Sequence, residues 1–116
     1  MFDAGDVEVL EPGEMRRFDA DGRAFVLARS KKGVYYAVRN ICPHQGVDLS
    51  EGVLTGRMRP AEIGCYDYED SGEILRCPRH AYEFDVTTGN SWFDPKRARI
   101  KTYSVTIEGG RVLVDI

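Results

Sequence analysis

The sequence predicts an all-β domain, an antiparallel β sandwich or barrel, on three observations. Turn signals recur at Pro12-Gly13, Asp21-Gly22, Lys32-Gly33, Ser71-Gly72, Thr88-Gly89 and Gly109-Gly110, and most intervals between the early ones are strand-length. Tyr103, Val105 and Ile107 alternate with Thr102, Ser104, Thr106 and Glu108, the period of two that a strand with one buried face requires. No window sustains a helical period.

Ala24 to Ala28 and Val34 to Val38 are continuous apolar runs bounded by turns, as expected of strands covered on both faces. Asn40 to Leu49 breaks the strand pattern, and Ser50 to Asp70 carries little alternation. A stretch that long without evident structure is usually functional in a compact domain. The acidic run within and just after it, Glu62, Asp67, Glu69, Asp70 and Glu73, reads as a solvated surface excursion. The pattern resumes at Tyr103 to Ile107, and Val112 and Val114 continue it beyond the Gly109-Gly110 turn.

A chain of 116 residues holds one core of ordinary size, so residues 1–116 are expected to form a single domain. Sixteen Lys and Arg against nineteen Asp and Glu leave a net charge of −3. That balance excludes a binder of nucleic acid or anionic membrane that works through excess cationic charge. Asp3, Asp6 and Glu8 near the N-terminus do not make a signal peptide, and the longest apolar runs have five residues, far short of a bilayer. A cytoplasmic protein is expected. Three cysteines, an odd number, argue against a disulfide framework and leave metal binding or a free thiol.

Both histidines of the chain follow a cysteine closely, in Cys42-Pro43-His44 and in Cys77-Pro78-Arg79-His80. Scattered residues would do this by chance on the order of one time in a thousand. Short spacings on proline-stiffened loops aim a thiolate and an imidazole at one centre. Cys42, His44, Cys77 and His80 are therefore the candidate metal ligands. Cys65 has neither a cysteine nor a histidine near it and reads as an incidental thiol. The donor types alone also suit a structural zinc module.

In these loops the sequence resembles the Rieske 2Fe-2S family, whose ligand pattern is C-x-H followed by C-x-x-H. The resemblance extends over Gln45-Gly46 and Leu49, over Phe84-Asp85 and Thr88-Gly89, and to Leu10-Glu11-Pro12-Gly13 before a strand. It implies a Rieske-like fold with a smaller cluster-binding subdomain of two loops, within about residues 40–95. By position, Cys42 and Cys77 would hold the inner iron and His44 and His80 the outer. Asp94-Pro95, after Trp92 and Phe93, stands where the family often places a loop that screens the cluster. Core or shielding packing is also the reading for Tyr66, Tyr68 and Tyr82, and a solvated face for Lys96, Arg97, Arg99 and Lys101.

Departures from the pattern refine this expectation. Respiratory members carry an extra, disulfide-bonded cysteine in each loop, whereas this chain has Val47 and Arg79 there. High-potential members have a sulfur-bonding Ser where this chain has Tyr82, and fewer hydrogen bonds to sulfur lower the potential. His80 is followed by Ala81 where Gly is usual, and the interval between His44 and Cys77 is long. The resemblance thus implies a low-potential ferredoxin that passes single electrons from a flavin-dependent reductase to a terminal oxygenase of the ring-hydroxylating type. Such a protein would be a monomer and not an enzyme, since no residues remain for a mononuclear iron site. An electron-transfer subunit held permanently in a larger enzyme is the alternative.

Overall fold

The computed structural model describes residues 1–40, 49–60, 66–77, 83–90 and 100–116. Nine strands run along them: β1 (Phe2–Asp6), β2 (Met15–Ala20), β3 (Arg23–Arg29), β4 (Tyr35–Arg39), β5 (Val53–Pro60), β6 (Tyr66–Arg76), β7 (Glu83–Asp85), β8 (Thr102–Glu108) and β9 (Arg111–Asp115), with one 3-10 turn at Leu49–Glu51. No helix among them is long and apolar enough to cross a membrane. Six strands form a sheet in the order β1-β9-β8-β4-β3-β2, and three form a second in the order β5-β6-β7. Every pairing is antiparallel, as expected of an all-β chain with short connections.

The large sheet curls until its edges nearly meet. Phe2 of β1 lies edge-on to Phe18 of β2, with ring centroids 6.1 Å apart, and to Phe25 of β3 at 5.5 Å. Side chains close this seam where backbone pairing between β1 and β2 is lacking. The loop after β1 is stitched on by Tyr35, whose hydroxyl donates to the carbonyl of Val7 at 2.8 Å. Arg29 stacks over the Tyr35 ring at 5.0 Å and donates to the Leu10 carbonyl at 2.9 Å.

Strand β3 has the two-sided burial that its apolar run predicts, and alternation divides it between two cores. Phe25 and Leu27 point into the curled sheet, where they pack with Leu10, Ala37, Val112 and Val114. Val26 points outward and joins Val38 of β4 in a second core with Leu49, Leu75, Cys77, Phe84, Val86 and Ile100. Strands β3 and β4 are thus the shared wall between the barrel interior and the smaller layer outside it.

The structure corrects three expectations. Residues 53–60 and 66–70 do not belong to an irregular excursion, because they lie in β5 and β6, which pair antiparallel. Beyond Thr55 the register pairs Arg57 with Glu69, Met58 with Tyr68, Arg59 with Asp67 and Pro60 with Tyr66. Opposite charges alternate with apolar partners across the strands, and one strand read alone shows little of this. Ser71-Gly72 is not a chain reversal but lies inside β6, where Thr55↔Ile74 is followed by Arg57↔Glu69. Gly72 has φ +66°, and a Cβ there would press on Lys31 and Ser30 of the β3–β4 turn, so only glycine lets β6 bend against that turn. Finally, Val34 precedes β4 and is 49% exposed, and Ile107 is likewise 49% exposed. Tyr103 and Val105 are half-buried, so the buried face of β8 ends one position short of the alternation.

Candidate metal centre

Of the four candidate ligands, Cys77 is described. It directly follows β6 and is 2% exposed within the outer core. Cys42, His44 and His80 lie outside the described residues, as do Cys65, Gly46, Tyr82, Trp92, Phe93 and Asp94-Pro95. The described residues nevertheless show how the segments that carry the candidate ligands are held at their ends.

Segment 41–48 leaves from Asn40 and returns at Leu49. The backbone N–H of Ser50 donates to Asn40 Oδ1 at 2.8 Å, closing the segment at its neck. Segment 78–82 is bounded by Cys77 on one side and Glu83 on the other, and the register pairs Arg76 with Glu83. It is therefore spanned by adjacent strands of one sheet, whose spacing fixes how far apart its ends stand. Segment 91–99 is closed by the Ile100 N–H, which donates to the Gly89 carbonyl at 2.7 Å. Its preceding residue, Asn90, accepts from the Asp85 N–H at 2.9 Å.

These three necks share one floor. Leu49, Cys77 and Ile100, each bounding one of the segments, and Phe84, one residue beyond Glu83, pack in the same cluster on Val26 and Val38. Gly52, after the 3-10 turn, lies so close to the Arg76 carbonyl that a Cβ would overlap it. The exit of the first segment thus abuts the entrance of the second. Below them, the Tyr36 hydroxyl reaches Glu73 Oε2 at 3.4 Å, so Glu73 is half-buried and not the freely solvated member of the acidic run that its sequence context suggests. The turn after β7 is set by Asp85, whose Oδ1 accepts from the Thr87 N–H at 2.9 Å and from its hydroxyl at 2.5 Å.

The residues present fit a metal–sulfur group. Cys77 brings a soft donor into a water-poor setting, and at the neck of the first segment Asn40 Nδ2 is buried with no acceptor among the described residues. A buried donor left unpaired costs about 1–3 kcal/mol, and a sulfur-rich group that gains negative charge on reduction is an acceptor suited to it. Sequence reasoning missed Asn40 and Gly52. An asparagine before a turn and a glycine after one are ordinary punctuation, and only contacts across the fold distinguish these two.

Comparison with known proteins agrees with this arrangement. The model of the Rieske [2Fe-2S] domain matches residues 1–104. The ferredoxin component of the naphthalene 1,2-dioxygenase system of Pseudomonas aeruginosa is 32% identical over 115 residues, covering 99% of this chain and 94% of that protein. The ferredoxin component of the alkene monooxygenase system of Xanthobacter autotrophicus is 35% identical over 108 residues, 93% of this chain and 75% of that protein. Among solved structures, the ferredoxin of Sphingomonas yanoikuyae B1 superposes with a TM-score of 0.73 at 28% identity, covering 99% of this chain and 97% of that one. Two Cys/His segments anchored on a common buried floor, in a curled antiparallel sheet with a small second sheet, agree with the family match. The chain belongs to the Rieske [2Fe-2S] domain family, with a Rieske-type 2Fe-2S cluster as its cofactor.

Proposed function

We propose that the protein is the ferredoxin of an oxygenase system, a one-electron carrier between a flavin-dependent reductase and a terminal oxygenase of the ring-hydroxylating type. The relatives that match nearly the whole chain are ferredoxin components of a naphthalene 1,2-dioxygenase system and of an alkene monooxygenase system, and they are electron-transfer components, not catalysts. The observation in this structure that carries the reading is the shared floor beneath the three segment necks, with the Cys77 thiol buried in it. A rigid floor keeps the surroundings of a redox group nearly the same in both oxidation states, which lowers the reorganisation that each electron transfer requires.

Cys42 and Cys77 supply the thiolate ligands and His44 and His80 the imidazole ligands, within a single domain whose cluster-binding portion spans about residues 40–95. The bound cluster takes up and releases one electron. The chain's own contribution is to hold the donors in place through Asn40–Ser50, Arg76–Glu83 and Gly89–Ile100 and to exclude water beneath them with Leu49, Phe84 and Ile100. The carrier works as a monomer in the cytoplasm, a compartment that an odd number of cysteines suits. No nucleic acid or membrane takes part.

The test is reductive titration of the purified protein. A red-brown protein that accepts one electron per chain, at a potential in the lower part of the roughly −150 to +300 mV range of Rieske centres, is the expected result. It then passes that electron to an oxygenase when mixed with reductase and NADH or NADPH. A colourless protein with stoichiometric zinc, or a protein that accepts no electron from any reductant, overturns the reading.

A further inference from the structure

Strands β5, β6 and β7 set Val53, Arg76 and Glu83 in one row, since the register pairs Val53 with Arg76 and Arg76 with Glu83. Directly opposed residues share a face of a sheet. The next row, Leu54, Leu75 and Phe84, packs on the outer core, so the row of Arg76 belongs to the opposite face. Further from Cys77 that face carries Ile74 and Asp85, both buried, whereas Val53 is 56% exposed and Arg76 is exposed too. The open part of the face is its ligand end.

Two features mark this row. Val53 is the most exposed large apolar side chain after Met1 among the described residues. Arg76 stands opposite an acid, an arrangement that favours a cross-strand ion pair, yet Arg76 forms no ion pair among the described residues. Glu83 is half-buried, and the guanidinium faces solvent one residue before Cys77. Arginine beside an apolar side chain is typical interface composition, and its charge calls for a carboxylate on the partner.

The charge of the cluster decides which partner that is. Two ferric ions, two sulfides and two thiolates sum to zero, and one added electron leaves a single negative charge. A partner carboxylate seated on Arg76 is attracted in both states, but in the reduced state the added charge repels it. The contact is therefore tighter for the oxidised protein. A reductase must capture the oxidised carrier and release the reduced one, and an oxygenase must do the reverse.

Resting on the function proposed above, we infer that Val53 and Arg76 form the docking seat of the flavin-dependent reductase, which presents a carboxylate to Arg76 and an apolar side chain to Val53. One electron leaves the reduced flavin and enters the cluster, and no bond or proton is exchanged. The charge it brings loosens the complex.

The test uses the intact holoprotein and the reductase that reduces the wild type with NADH, with variants compared at equal cluster content. At low ionic strength KM for the oxidised protein is expected to rise about threefold in Arg76→Gln and about tenfold in Arg76→Glu, with kcat unchanged. The curves converge near about 1 M salt, where the Debye length is about 3 Å. Val53→Asp, which sets a carboxylate beside Arg76, raises KM as well. Lys32→Glu makes the same change in net charge on the exposed β3–β4 turn and leaves KM as it was. Reduced wild type competes with the oxidised form more weakly than its own concentration predicts. Equal KM in Arg76→Glu and Lys32→Glu overturns the inference while the proposed function stands. A defect confined to, or equally large in, electron transfer from the reduced variant to the oxygenase overturns the assignment to the reductase. A cluster-loaded wild type that no flavin-dependent reductase reduces overturns the proposed function, and this inference with it.

Discussion

Gly52 lies against the backbone carbonyl of Arg76, with no room for a Cβ between them. The contact joins the end of the 3-10 turn, where the first ligand segment returns, to the residue before Cys77. It is reinforced by the register of β5 on β6, which pairs Val53 with Arg76. Gly52→Ala forces the two necks apart at the base of the segments that carry the proposed ligands. The expected cost is about 1–3 kcal/mol, the range for inserting a methyl group into a packed site, read as a lower urea midpoint at unchanged slope. Cluster content per chain, from the visible absorption, falls in the same variant. Full loading at wild-type stability would show that the necks move independently.

Cys77 and Cys65 are expected to respond in opposite ways to the same substitution. Cys77→Ser removes a proposed ligand and leaves a hydroxyl in a core position that is 2% exposed, so the visible spectrum is lost and the remaining fold is weakened by about 1–3 kcal/mol. Cys65→Ser keeps both spectrum and potential. Absorption and electron paramagnetic resonance of the two variants check this. A coloured Cys77→Ser protein would remove that cysteine from the ligand set.

The seam of the large sheet separates stability from redox behaviour. Phe2 contacts Phe18 and Phe25 and belongs to the inner core, away from the floor under the ligands. Phe2→Ala is expected to cost about 1–3 kcal/mol, less than the roughly 3–5 kcal/mol of a fully buried phenylalanine, because Phe2 is only half-buried. The melting temperature drops while the potential and spectrum stay as in the wild type. A shifted potential would mean that the shared wall of β3 and β4 transmits strain from one core to the other.

At acid pH the exposed fork between Arg111 and Asp3 becomes measurable. Arg111 Nε donates to Asp3 Oδ2 at 3.2 Å and its Nη2 lies 3.2 Å from Oδ1. That bond, and then the Gly5 N–H, hold the Asp3 carboxyl below its ordinary value of 3.8. A depressed folded-state value means that the contribution to stability is present above the ordinary carboxylate range and is lost as pH falls through the depressed value. Carbon-detected titration of the Asp3 carboxyl is expected to give a midpoint below 3.8 that rises toward the ordinary value in Arg111→Gln, where the Gly5 N–H bond remains. Titration at the ordinary value in the wild type would show that the fork is open in solution.

What the sequence by itself determined is mostly what is local. The donor types of Cys42, His44, Cys77 and His80 and their short spacings lie in neighbouring residues, so a metal-binding reading and the family resemblance follow without a fold. The two-sided burial of Ala24 to Ala28 was likewise legible, because a run of apolar side chains covers both faces of a strand whatever lies against it. Val112 and Val114 declared their face by alternation alone, and both are fully buried.

Other features depended on which residues meet across the fold. The β5–β6 pairing was hidden because its logic is in cross-strand pairs, Arg57 with Glu69 and Arg59 with Asp67, and neither strand alternates strongly when read alone. Ile107 continues an apolar alternation yet stands exposed, since the core beneath β8 ends before it. Asn40 and Gly52 look like turn residues until Ser50 and Arg76 are placed beside them. Above all, tertiary structure decided that Leu49, Cys77, Phe84 and Ile100 share one floor. Hydrophobic burial is non-directional, so a sequence states that these side chains will be buried and only the packed chain states against which neighbours.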